Sequence, residues 1–324
     1  MRQLGLWEDA PRHYHEALRR LGRLDPVGCR AALGEHARQS PAGPDPEPVA
    51  AAAAWLEGRL PPLGEATPEM GRRLLHLCRA LREGEGVPDV LRPQGDTGRD
   101  ALRCAALRAM EQVRRGAVCA LDRVPGPDGL PWGVFAIWAG EPAAGRQHLL
   151  ARLEEDRPSP AACLALGDAA WALGRAEEAR CAYREGYGLD PEGGGWAPAD
   201  PEIPALRARA EAVPGFSGNW WAVGAYLEGL FPAYPEAPPA LVARRWRRFA
   251  ARRQQWLPRR LPDPALFFAG LFLSEQRDRL SDADLGTVRE TLRDLHGEAF
   301  ALHREHLEER GPPRPPARGP YFAW

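Results

Sequence analysis

Between its prolines and glycines this chain is dominated by Ala, Leu, Arg and Glu. Those are strong helix formers, and alternating β-branched runs of the kind that build strands do not occur. The 34 prolines and 34 glycines fall mostly between the helix-forming stretches as punctuation. An all-α fold follows, with about fourteen helices. Helices are expected near 8–23, 27–39, 48–59, 68–83 and 98–122, then through the middle of the chain, then near 203–213, 218–230, 238–257, 263–279 and 282–310. In the fourth, Met70, Leu74, Leu77 and Leu81 recur at three- and four-residue spacing and predict one buried stripe. Thr67 before Pro68 and Ser281 before Asp282 and Asp284 are helix-start signals.

Charge and residue usage exclude several chemistries. The formal net charge is -1, and all 43 basic residues are arginine. Without lysine there is no phosphate-loop lysine, no Schiff-base lysine and no lysine nucleophile. P-loop NTPases, pyridoxal-phosphate enzymes and ordinary protein kinases are set aside. No G-x-S-x-G elbow and no glycine-rich dinucleotide fingerprint after a strand is present, so no cofactor is implied. The six cysteines, at 29, 78, 104, 119, 163 and 181, contain no C-x-x-C pair and read as small helix-face residues. The N-terminal stretch lacks the apolar run of a signal peptide, and no run of 18 apolar residues occurs. The expectation is a cytoplasmic protein that does not enter a membrane.

The chain also repeats itself. Gly133 and Gly140 recur 34 residues later as Gly167 and Gly174, each pair flanked by an apolar and then an amphipathic stretch. Thirty-four residues is the period of a stacked helix–turn–helix unit. Residues 160–193 carry Leu166-Gly167, Ala170, Gly174, Ala179, Tyr183, Gly186 and Pro191 at the positions that define a tetratricopeptide repeat. This segment resembles that family, departing only at Cys163, where a large residue is usual. Residues 126–159 are similar but more degenerate, keeping Trp132-Gly133, Ala136, Gly140, Gly145 and Leu149. Two units need neighbours to cover their faces. The expected architecture is therefore a right-handed α-solenoid-like array at 125–195, between helical blocks at 1–124 and 196–310, with a Pro-rich aromatic tail at 311–324.

The resemblance implies a non-catalytic scaffold whose first helices line a concave groove. By position, the groove presents Leu130, Val134, Ile137 and Trp138 from the first unit and Leu164, Asp168 and Trp171 from the second. The basic residues that bind peptide carboxylates in part of the family are missing at these positions. An apolar groove with Trp138 and Trp171 suits a hydrophobic or helical peptide, because buried tryptophans dominate interface energetics. The alternative is that a segment of the same chain fills the groove.

Two further features could carry chemistry. Residues 244–260, RRWRRFAARRQQWLPRR, hold Arg244, Arg245, Arg247, Arg248, Arg252 and Arg253 with Trp246 and Trp256. Arginines interleaved with aromatics can grip phosphates and stack on bases, so nucleic acid is a second candidate partner. The same helix can instead turn Trp246, Phe249 and Trp256 inward and leave its arginines solvated or paired with acids. His303 and His306, at i and i+3, are weak metal candidates and support a third reading, a helical metal-dependent enzyme. The tail ends Tyr321-Phe322-Ala323-Trp324, three aromatics suited to docking in an apolar groove.

Overall fold

The structure is a computed structural model that describes residues 5–40, 42–60, 68–92, 94–116, 130–155, 159–213, 215–234 and 236–310. Every regular element among the described residues is helical, with fifteen α-helices. The chain forms two compact units, residues 1–145 and 146–324.

Unit 1 contains α1 (Gly5–Gly22), α2 (Pro26–Gln39), α3 (Glu47–Glu57), α4 (Pro68–Glu83), α5 (Asp96–Gly116) and α6 (Trp132–Trp138). It ends within α7 (Pro142–Glu155). Helix α1 pairs with α2 and with α5, and α5 also packs on α4 and α6. The α4 stripe lies inward as its spacing predicts: Met70, Leu74, Leu77 and Leu81 are all buried. Alanines 101, 105, 106 and 109 line the buried face of α5. The start of α2 follows from three consecutive residues. Leu24 takes φ 57 to end α1, Asp25 caps α2 by accepting from the Gly28 amide at 2.9 Å, and Pro26 supplies the first helical position. Thr67, the cap expected for α4, lies outside the described residues.

Unit 2 contains α8 (Pro160–Ala172), α9 (Ala176–Leu189), α10 (Glu202–Glu211), α11 (Trp221–Leu227), α12 (Pro239–Trp256), α13 (Pro264–Glu275), α14 (Asp282–Leu295) and α15 (Gly297–Arg310). Its centre is α13, with nine of twelve residues buried. A helix apolar all round must be surrounded, and α13 packs against α9, α11, α12 and α14. Asp263 caps it through the Leu266 amide, with Pro264 at the first position. Ser281 caps α14 through the Asp284 amide, as the sequence predicts.

Three of the expected helices come out differently. The stretch near 218–230 begins as a 3₁₀ turn, Gly218–Trp220, before α11. The stretch near 263–279 is α13 followed by a 3₁₀ turn, Arg277–Arg279. The single long helix expected over 282–310 is broken into α14 and α15 at His296. There His296 is extended (φ -160, ψ 93), accepts from the Ala299 amide through Nδ1 at 3.2 Å, and places Nε2 3.2 Å from the Gly215 carbonyl. Its ring stacks on Phe216 and meets Trp220 edge-on. At the break His296 caps α15 locally and also contacts the 215–220 connection.

Candidate functional site

The α8–α9 hairpin is shaped by two glycines. A Cβ at Gly167 would lie 2.5 Å from Tyr183 Cε1, and one at Gly186 would lie 2.6 Å from Leu164 Cδ2. Each glycine on one helix thus receives a large side chain from the other. Gly174 turns the chain between them with φ 72, a conformation that costs glycine little. In unit 1, α6 meets the start of α7 in the same manner. A Cβ at Gly145 would stand 2.7 Å from the Gly133 carbonyl oxygen and 2.6 Å from Ile137 Cγ1.

The groove residues named from sequence divide between the units. In unit 1, Leu130, Val134 and Trp138 are buried and Ile137 is half-buried. Trp138 sits edge-on to Phe135 and under the Arg82 guanidinium, 5.5 Å from the ring centre. In unit 2, Leu164 is fully buried, and Trp171 lies half-buried against the core. Asp168 is buried and heavily engaged. Its Oδ1 accepts from the Tyr183 hydroxyl at 2.7 Å and from the Ala199 amide at 2.8 Å, and its Oδ2 accepts from Trp196 Nε1 at 3.1 Å. A carboxylate that accepts several hydrogen bonds can remain buried, because donors replace its lost water.

The Arg-rich segment is largely tied down. Arg245 pairs with Glu185 at 2.9 Å, Arg252 grips Asp263 with two bonds of 2.8 and 2.7 Å, and Arg260 pairs with Asp294 at 3.0 Å. Arg253 donates to Thr291 Oγ1 at 2.7 Å and to Glu290 at 3.1 Å. Arg244 is half-buried, while Arg247 and Arg248 are exposed. Trp246 stacks on Phe249, and Trp256 is buried with its Nε1 donating to the Leu261 carbonyl at 2.6 Å. At the end of α12 a cleft of about 520 Å³ opens between Asp190, Asn219, Arg252, Trp256, Arg259 and Leu261.

A buried polar cluster in unit 2 escaped sequence reasoning. Arg184 and Glu185, adjacent on α9, are both buried. Glu185 accepts from Arg184 at 3.1 Å and from Arg245 at 2.9 Å. Arg184 also donates to the Pro232 and Ala233 carbonyls and lies 3.8 Å over the Tyr234 ring. Glu275 accepts from the Tyr226 hydroxyl and the Tyr234 amide, and Gln276 accepts from the Ala237 amide at 2.8 Å. Burial alone would raise the Glu185 carboxyl, but Arg245 and Arg184 outweigh it and hold the group below the usual carboxylate range. The cluster pins the connection between α11 and α12. An arginine and a glutamate side by side among alanines and tyrosines on α9 were the only trace of it in the sequence.

Burial pushes the Tyr226 and Tyr234 hydroxyls well above their ordinary value, and burial together with Asp168 does the same for Tyr183. A raised folded value stabilises the fold below the unfolded value, about 10, and that contribution drains away as pH climbs above it. These three tyrosines should therefore ionise together with loss of helical signal in an alkaline titration. Tyrosinate absorbance rising to its full value while the helix signal is intact would contradict this.

His303 is buried with Nε2 against the Ser274 hydroxyl, and His306 is half-buried. No group of three potential metal ligands occurs among the described residues. Cys29, Cys78 and Cys163 are buried free thiols, and burial raises Cys29 to about 11. Cys119 and the aromatic tail lie outside the described residues. No helix among the described residues is long and apolar enough to cross a membrane. No protein-family profile, curated protein or solved structure matches this chain.

Proposed function

We propose that this chain is a non-catalytic helical scaffold of tetratricopeptide-like hairpins that binds a protein or peptide. The observation that carries the reading is the α8–α9 hairpin. The small residues that define the resemblance, Gly167 and Gly186, stand where the two helices approach closest, and each receives a large partner side chain. Between α6 and α7, Gly145 likewise receives Ile137 and lies against the Gly133 carbonyl. Trp171, half-buried at the edge of unit 2, is the anchor from that unit. The ion pairs of Arg245, Arg252, Arg253 and Arg260 favour a protein partner over nucleic acid, since paired guanidiniums contribute less to phosphate binding. The reading places the protein in the cytoplasm.

Selection of displayed peptides on the full chain tests this. Enriched peptides should lose about 2 kcal/mol of affinity, roughly thirtyfold, when Trp171 is replaced by Ala. That affinity should depend only weakly on salt. No enrichment, or hits indifferent to Trp171, would overturn the reading. Polynucleotide binding that weakens steeply with salt would assign the function to residues 244–260 instead.

A further inference from the structure

The connection from α9 to α10 covers part of the hairpin it leaves. After Asp190 and Pro191 it turns through Gly193, Gly194 and Gly195, with φ of 64, 55 and 76. Three successive left-handed residues are accessible at low cost only to glycine. The chain then returns along Trp196 to Asp200. Two of the three hydrogen bonds at Asp168 described above come from this returning strap, one from the Trp196 indole and one from the Ala199 amide. The Asp200 amide lies 3.4 Å from the Tyr183 hydroxyl. At the turn, Gly193 approaches Leu164, where a Cβ would stand 3.4 Å from Cδ1. Leu164 and Asp168, two of the groove residues of the second hairpin, are thus in contact with residues 193–199.

Trp196 packs against the core of unit 2, and beyond it the strap has little apolar cover. Trp196 is only half-buried, Ala197 and Ala199 are exposed, and a Cβ at Gly195 would meet nothing within 4 Å. Asp168 is buried and needs donors wherever they come from. An unpaired carboxylate at that depth would carry a large desolvation cost. The Tyr183 hydroxyl stays with Oδ1, and a segment that displaces the strap can replace the other bonds by bringing an amide to Oδ1 and an N–H to Oδ2.

We infer that the strap is an internal occupant of a recognition site centred on Asp168, and that the site accepts in trans an extended peptide presenting a tryptophan and, three residues later, a backbone N–H. This deepens the scaffold reading and rests on it. The tethered strap competes with the incoming peptide, so the apparent affinity of the intact chain falls by the fraction of molecules in which the strap is open.

The probe is a synthetic peptide spanning residues 193–201, titrated against the full chain. Trp196→Ala weakens the internal competitor, and this variant should bind the peptide about tenfold or more tightly than the wild type. Adding Asp168→Asn to that variant should abolish the gain, as should replacing the peptide's tryptophan by Ala. In the wild-type chain, saturating peptide should speed hydrogen exchange at the Ala199 amide, a readout that needs no variant to fold. Equal peptide affinity of a folded Trp196→Ala variant and wild type, binding indifferent to Asp168, or unchanged exchange at Ala199 would each overturn the inference. If these fail while Trp171-dependent displayed peptides persist, the scaffold reading stands and the strap is only a connection. If the strap peptide binds while no displayed peptide depends on Trp171, the Asp168 site stands by itself and the Trp171-anchored scaffold reading falls.

Discussion

Gly167→Ala is expected to lower the melting temperature, while the same added methyl at Gly286 raises it. The Cβ at position 167 would stand 2.5, 2.6 and 2.8 Å from three carbons of the Tyr183 ring. That ring cannot swing aside, because it is fully buried and its hydroxyl is bonded to Asp168 at 2.7 Å. Overpacking of this kind costs about 1–3 kcal/mol, which for a unit of this size corresponds to roughly 3–10 °C. Gly286 sits on the exposed face of α14 with nothing within 4 Å of a new Cβ. There, removal of glycine's excess unfolded-state freedom should add about 0.5–1 kcal/mol. Thermal unfolding followed by circular dichroism decides it. Two alanines that shift the melting temperature in the same direction would mean that the helices do not cross at Gly167. Gly186→Ala should behave like Gly167→Ala, since its Cβ would meet Leu164.

Glu185→Ala should be strongly destabilising, at about 3–5 kcal/mol. The loss comes less from the ion pairs themselves than from what remains. Arg184 and Arg245 would both keep a guanidinium beside an emptied site, and Arg184 is almost wholly shielded from water. Glu185→Gln keeps the shape and one acceptor, so it should cost less. The two variants also separate by pH. Because the folded carboxyl titrates below its ordinary value of 4.5, its stabilisation is present above that pH and is lost as pH falls through the folded value. The stability gap between wild type and Glu185→Gln should therefore be full at neutral pH and narrow in acid. Chemical denaturation across that range measures it; a gap independent of pH would show that the carboxylate charge is not what holds the cluster.

Much of the fold could be read residue by residue. Ser281-Asp282 starts a helix where expected, because a cap and its amide lie within three residues of one another, and Asp25-Pro26 and Asp263-Pro264, not singled out in advance, start theirs in the same way. The α4 stripe and the glycines of the α8–α9 hairpin were equally legible, since spacing alone decides which side chains share a face. The site was less so. Position within the repeat singled out Asp168, but nothing local indicated that Trp196, 28 residues away, donates to it. Residues 244–260 read first as a solvated or acid-paired face and only second as a phosphate-binding surface. Only the approach of Glu185, Asp263, Glu290 and Asp294 shows which arginines are engaged.

By itself, then, the sequence determined the all-helical class, most helix limits, and the glycine crossings, because each depends on interactions within a few turns or one hairpin. Tertiary structure decided the rest. It set His296, at the break in the last helix, against the 215–220 connection, and it buried Arg184 and Glu185 around a loop some fifty residues distant in sequence. It also laid the 193–200 strap over Leu164 and Asp168. The physical reason is common to all three. A buried polar group must find a partner, and which partner is in reach depends on how non-adjacent helices pack, a quantity no local pattern of residues encodes.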